Sequence, residues 1–326
     1  MKQRRRKQYS SLAATVQRIC VISVAGLLLL AVLHCTSSVC VAAEHDDDHQ
    51  KFFRTGFIQR VFSNIDLRDA RAVLELHSRE VSRLIGMKDL TPKVVMFTDM
   101  DAMTDALRKG ELEMAAIPSL DFLRVRNSIP LIPAFVGVGT YGQGVQYVLI
   151  TRKDNGIRSF SDLRGKSVML PPTHKNDSSR IWLDVLLMKE GRGARDAFFG
   201  QVREGPKVSA AVMGVFFRQV DSAIVTRGVL DTSSQLNPQI GIQLGVLAES
   251  PILSDSIVCL LPGTSEKLRK NIYQAMLTLN GSKSGKQIYT IFQTNGITPF
   301  KPEYLEGLEQ LLREYKHLKE KIVMRK

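Results

Sequence analysis

Val145-Gln146-Tyr147-Val148-Leu149-Ile150-Thr151, a turn at Asp154-Asn155-Gly156, then Ser161-Asp162-Leu163-Arg164-Gly165-Lys166 running into Ser167-Val168-Met169-Leu170, is the passage whose reading decides the fold. The first run is apolar and partly β-branched, the composition of a buried strand. Asp-Asn-Gly supplies turn chemistry, because Asn and Gly tolerate left-handed backbone and the short polar side chains bond locally. Ser167 to Leu170 predicts a second, shorter strand. A polar loop, Pro171 to Asp177, then feeds a helix predicted from Ser178 to about Glu190, with Gly191 as its stop. A helix over Ala210 to Phe217 precedes a strand over Ser222 to Thr226. Strands separated by helices predict parallel pairing in one sheet.

The same alternation precedes this block. A strand is predicted over Gly56 to Phe62 and a helix from Asp66, whose apolar positions Val73, Leu74, Val81, Leu84 and Ile85 keep helical spacing. A strand over Lys93 to Phe97, a helix from Thr98-Asp99 to Leu107 stopped at Gly110, and a strand over Met114 to Ile117 follow. His77 lies on the apolar stripe with no His or Cys one turn away, so it reads as a core-edge residue rather than as a metal ligand. Pro130 to Gly144, with Gly137, Gly139, Gly142 and Gly144, marks a crossing between two blocks, and Leu247 to Leu261 a return. Helices close the chain; the last, Glu303 to about Val323, carries the stripe Leu305, Leu308, Leu312, Tyr315, Leu318 and Ile322 and reads as a helix packed across both blocks. The expected fold class is α/β: a two-lobed clamshell, each lobe a mostly parallel sheet flanked by helices, with two crossings. The expected boundaries are 53–144 with 253–326 for lobe 1 and 145–252 for lobe 2.

The first residues look different. Lys2, Arg4, Arg5, Arg6, Lys7 and Arg18 precede an apolar run from Ile19 to Leu33, and no acidic residue appears before Glu44. Small residues then lead to Val41-Ala42-Ala43 and the acidic segment Glu44-His45-Asp46-Asp47-Asp48. That order is the signature of a cleaved export signal, and the run is shorter than the roughly 20 residues a membrane span needs. The expectation is therefore a signal peptide over 1–43, a flexible acidic start over 44–52, and a periplasmic location. Removing six bases and no acids lowers the formal charge from +13 to +7. The remaining bases are dispersed, which speaks against a nucleic-acid partner and mildly for anion attraction. Cys20, Cys35 and Cys40 leave with the leader, so Cys259 remains alone. An intramolecular disulfide and a cysteine metal cluster are both excluded.

Several passages resemble the phosphate/phosphite/phosphonate-binding branch of the periplasmic solute-binding proteins of ABC importers. They are Asp105-Ala106-Leu107-Arg108-Lys109-Gly110-Glu111-Leu112-Glu113-Met114-Ala115, Tyr147 to Arg152 with Ser161 to Val168, the helix from Ser178 with Gln219 to Val225, and Leu277 to Phe300. The resemblance implies a type II periplasmic-binding-protein fold and a receptor that closes on a small anionic, phosphate- or phosphonate-like solute. Such a receptor presents its solute to an inner-membrane permease, works as a monomer, needs no cofactor and no metal, and is not an enzyme. A sensory receptor on the same fold is the alternative; an enzyme on it ranks third, since the chain offers neither a Ser-His-Asp order in a convincing context nor HExxH.

Ligands of open α/β sheets lie beyond the carboxyl ends of the strands. Ser63, Asn64, Thr98 and Ser119 stand at such ends in the first lobe, Thr226 and Arg227 in the second. Ser178 and Ser179 open a helix whose N–H groups and dipole suit an anion. They occupy the place of the family's Ser-Thr-Ser-Gly-like turn, here Asn176-Asp177-Ser178-Ser179. Arg227 offers planar bidentate donors, and Thr173 and Asn176 complete the expected shell. Ser178, Ser179 and Arg227 are expected to converge on one charged group of the solute.

Overall fold

The computed structural model describes residues 51–62, 66–86, 90–139, 142–172, 178–291 and 294–324. The signal peptide and acidic start expected over 1–52 lie outside the described residues, apart from the last two positions. Among the described residues no helix is long and apolar enough to cross a membrane.

The chain opens with β1 (Lys51–Ile58), α1 (Leu67–Ile85), β2 (Leu90–Phe97), α2 (Met100–Arg108), β3 (Met114–Pro118), α3 (Ser119–Val125) and β4 (Ile132–Val138). It continues with β5 (Val145–Arg152), β6 (Ser167–Leu170), α4 (Ser178–Lys189), α5 (Arg195–Phe198), β7 (Gln201–Glu204), α6 (Val208–Phe216), β8 (Ser222–Thr226), α7 (Arg227–Leu236) and α8 (Pro238–Gln243). Then come β9 (Leu244–Leu253), β10 (Ser256–Leu260), α9 (Glu266–Gly281), α10 (Lys283–Ile291), β11 (Gly296–Pro299) and, after a 3-10 turn over Pro302–Leu305, α11 (Glu306–Met324). Capping explains several boundaries. The Asp66 carboxylate accepts from the Arg68 N–H at 2.8 Å to start α1, and Gly86, at φ +71°, takes the left-handed turn that ends it.

Two sheets result. One has six strands in the order β11-β4-β10-β3-β1-β2, the other five in the order β7-β6-β8-β5-β9. The parallel pairings expected from strand–helix alternation are those of β1 with β2 and β3, and of β6 with β7 and β8. The strands that lead into or out of a crossing bring the antiparallel pairings. β10 returns from the other lobe and inserts, reversed, between β3 and β4, while β5 lies antiparallel between β8 and β9. The first crossing is narrower than its composition suggests. Residues 132–138 of the Pro/Gly-rich segment form β4, and Pro133 is tolerated there because it sits where the β10–β4 register shifts. The chain leaves the first sheet after β4, enters the second at β5 and returns at Ser254-Asp255. The two passages lie so close that a side chain on Gly144 would run into the Leu253 carbonyl.

Strand alternation gives the five-stranded sheet two packed faces. Tyr147 and Leu149 pack with Trp182 and Leu183 of α4, and Val148 and Ile150 with Val212 of α6 and Leu230 of α7. The last helix departs from its expected grouping with lobe 1. Leu308 and Leu311 of α11 are buried in the Trp182 core of the five-stranded sheet, whereas Leu305, just before it, belongs to the core of the other lobe. Its apolar stripe packs with α4, and Lys189 on α4 pairs with Glu314 at 2.8 Å.

Candidate functional site

β6 and β8 are adjacent and parallel, so α4 and α7, which follow them, both begin at the same end of the sheet. Their first turns present N–H groups there, with the positive ends of two helix dipoles. Ser178 and Ser179 open α4 and are each 1% exposed. Thr226 caps α7, its hydroxyl accepting from the Val229 N–H at 3.4 Å. Arg227 is the first residue of α7, and its guanidinium donates to Gln146 Oε1 at 3.4 Å and pairs with Glu249. Glu249 lies on the edge strand β9, with β5 between it and β8. The Arg227 side chain therefore reaches outward over β5, away from β6 and from the start of α4. α4 and α7 also pack on opposite faces of the sheet. The structure thus brings the two helix starts to one end but does not bring the Arg227 guanidinium to Ser178 and Ser179. Thr173 and Asn176, like Asp177, lie outside the described residues.

In the first lobe the expected residues serve local structure. The Thr98 hydroxyl donates to the Asp99 carboxylate at 2.9 Å, and that carboxylate accepts from the Ala102 N–H at 2.9 Å to cap α2. Ser119, fully buried at the end of β3, shares a 2.8 Å hydroxyl–hydroxyl bond with Ser254, and its N–H donates to the Asp255 carbonyl at 3.0 Å. Its hydroxyl thus pins the return crossing to β3. Ser63 and Asn64 lie outside the described residues.

Arg180 was not among the expected residues. Third in α4, it donates to the Pro171 carbonyl at 3.3 Å and pairs with Glu204, at the carboxyl ends of β6 and β7. Helical side chains lean toward the N-terminus, which brings its guanidinium back to the level of the helix start. The signal for it is Arg180 itself, which follows Ser178-Ser179 directly in the first turn of the helix. Arg180 and Arg227 are each paired with a glutamate, and the two helix starts add positive potential of their own. No cluster of His, Cys, Asp and Glu suited to a metal occurs among the described residues. Cys259 is fully buried, and burial pushes its thiol up to about 12, which leaves it unreactive.

The profile of a family described as "ABC transporter, phosphonate, periplasmic substrate-binding protein" matches residues 80–305. Among solved structures, the binding component of a phosphonate ABC transporter from Pseudomonas aeruginosa is 14% identical, with TM-score 0.59 over 83% of this chain and 88% of its own. A Prochlorococcus marinus protein in complex with methylphosphonate is 16% identical, with TM-score 0.59 over 82% of this chain and 99% of its own. A Xanthomonas citri protein bound to ATP is 15% identical, with TM-score 0.61 over 83% and 98%. At such identities the likeness bears on the fold, which is the two-lobed fold of periplasmic binding proteins. Curated protein sequences offer no match. The matched span takes in strands of both sheets and both candidate helix starts, and the chain belongs to the family of periplasmic substrate-binding proteins of phosphonate ABC transporters.

Proposed function

We propose that this protein captures a phosphonate, or a small oxyanion of like charge, between its lobes and delivers it as a monomer to an inner-membrane permease. In this reading the mature chain begins at Glu44, lobe 1 comprises 53–144 with most of 253–326, and lobe 2 comprises 145–252. One observation carries the anion assignment: α4 and α7, on opposite faces of the sheet, both start at its carboxyl end, after two adjacent parallel strands. A desolvated oxyanion needs several fixed donors, and two helix starts supply them without a full countercharge. Ser178, Ser179 and Thr226 are the proposed inner contacts, completed by Thr173 and Asn176. Ser63, Asn64 and Thr98 are the proposed contacts from the facing lobe, while Ser119, fully buried and bonded to Ser254, is left to hold the return crossing. Arg227 joins by exchanging Glu249 for the solute, so the Arg227–Glu249 pair is subtracted from affinity.

Calorimetric titration with methylphosphonate, phosphate and an alkyl sulfonate is the direct test, with one-to-one binding and no turnover expected for at least one of them. Glu249→Gln, which keeps the size of the side chain and removes its charge, is expected to tighten that binding by up to about fivefold, the upper worth of a part-exposed ion pair. Arg227→Ala is expected to weaken it. Lack of binding to all three, with binding of an uncharged solute instead, overturns the anion assignment. Unchanged affinity in both variants removes Arg227 from the site.

A further inference from the structure

The two crossings are not the only links between the lobes. After β11 the 3-10 turn over Pro302–Leu305 leads from the first lobe into α11, whose buried leucines belong to the second. α11 is seated firmly there, since a side chain on Gly307 would strike the Ile252 carbonyl of β9. On the first-lobe side it faces α3 less closely. A cavity of about 360 Å³ lies between them, lined by Phe122, Arg126 and Phe300 on one side and Leu305, Glu306 and Glu309 on the other. Leu123 of α3 packs against both cores. Beside the cavity Arg126 Nη1 donates to Glu309 Oε1 at 2.6 Å. The other carboxylate oxygen of Glu309 stands 3.6 Å from Arg313, one turn further along α11. Glu309 therefore has one cationic partner on the first lobe and another on its own helix.

We propose that the Arg126–Glu309 pair is a latch between the lobes: it holds the arrangement of this structure, and rotation of one lobe against the other passes Glu309 from Arg126 to Arg313. The inference rests on the reading that the lobes close on a solute. The physical reason is that a two-state element biases an equilibrium only if its contacts differ between the states. Here the carboxylate keeps a partner in both, so the exchange leaves no charge unpaired. Neither residue stands at the starts of α4 and α7, so both act on solute affinity by positioning the lobes.

The test places two labels, at the exposed positions Asp101→Cys on α2 and Asp196→Cys on α5, and measures the interlobe distance distribution without solute. Cys259, buried and unreactive, does not compete for label. Arg126→Gln and Glu309→Gln are each expected to raise the population outside the main distance by about two- to fivefold, the range an exposed pair supports. Glu309→Gln also removes the Arg313 contact, so its effect should fall below that of Arg126→Gln, and the double variant should match Glu309→Gln alone, because without the carboxylate Arg126 has no partner left to lose. Arg313→Ala, which deletes the second partner, should shift the population the opposite way. Affinity for methylphosphonate, used as the probe solute, should change by the same factors. Distributions indistinguishable from the parent in all variants, or additive effects in the double variant, overturn the latch. If methylphosphonate does not bind at all, the distance measurements still decide the latch, and only the solute assignment fails. Both side chains are part-exposed, at 39% and 28%, so the variants are expected to fold.

Discussion

His77 lies on the buried stripe of α1 between Leu74 and Val81, and its ring meets that of Tyr289 edge-on at 6.3 Å. Its Nδ1, the Tyr289 hydroxyl and the Thr55 hydroxyl are buried with no hydrogen-bond partner. Burial lowers the imidazole pKa from 6.5 to about 4, because the charged form loses its water without gaining an anion. The sign follows from linkage. Between those values the unfolded chain binds a proton that the fold refuses, so stability is full above pH 6.5 and falls as pH drops toward 4. The loss amounts to about 1 kcal/mol at pH 5.5 and about 2–3 kcal/mol at pH 4.5. His77→Phe is expected to flatten this part of the profile, read as the difference between parent and variant in urea unfolding at pH 7.5, 5.5 and 4.5. Identical profiles would show that His77 stays solvated. The residue was recognised as core-edge from helical spacing alone; its missing hydrogen bonds depend on α10, which no local pattern reveals.

At the scale of elements, α4 and α11 form the packing unit beneath the candidate anion site. Trp182 is 3% exposed and Leu311 likewise 3%, both in one apolar cluster. Leu311→Ala is expected to cost about 2–5 kcal/mol, the transfer loss plus the cavity left behind. Trp182 emission should shift to the red in the folded variant as α11 seats less tightly; an unchanged spectrum and stability would mean that α11 is not part of the second core. The helices α1, α2 and α4 were legible because each carries apolar residues together with a cap or a stopping glycine, and α6 was legible from its apolar run alone. α5, β7 and β11, of four residues each, were not, since so short a segment shows no period. β4 was hidden by Pro133, Gly137 and the glycines that follow it, which read as a linker until β10 is seen to pair with it.

Considered whole, the molecule is a solute receptor built from two mixed sheets joined by two close crossings and a third link through α11. Exported material is expected to begin at Glu44 and to carry a single thiol that labels only after denaturation, since Cys259 is fully buried among lobe 1 strands. Intact mass and thiol counting in native and denaturing buffer check both. A mass that includes residues 1–43, or fast labelling of the native protein, would contradict them.

Apolar periodicity, caps and glycine stops were enough to divide the chain into alternating strands and helices, to predict two α/β blocks, and to place helix starts at strand ends. These are local properties, written within a few turns of chain. Tertiary structure alone decided where Arg227 points. Its partner Glu249 is 22 residues away, on a strand that becomes its neighbour only through the sheet order β8-β5-β9. The same holds for Ser119, claimed by Ser254 across 135 residues, and for α11, whose leucines could have served either lobe. A side chain's charge and size are read from its own position, but the partner that claims it is set by which distant segments the sheets bring together.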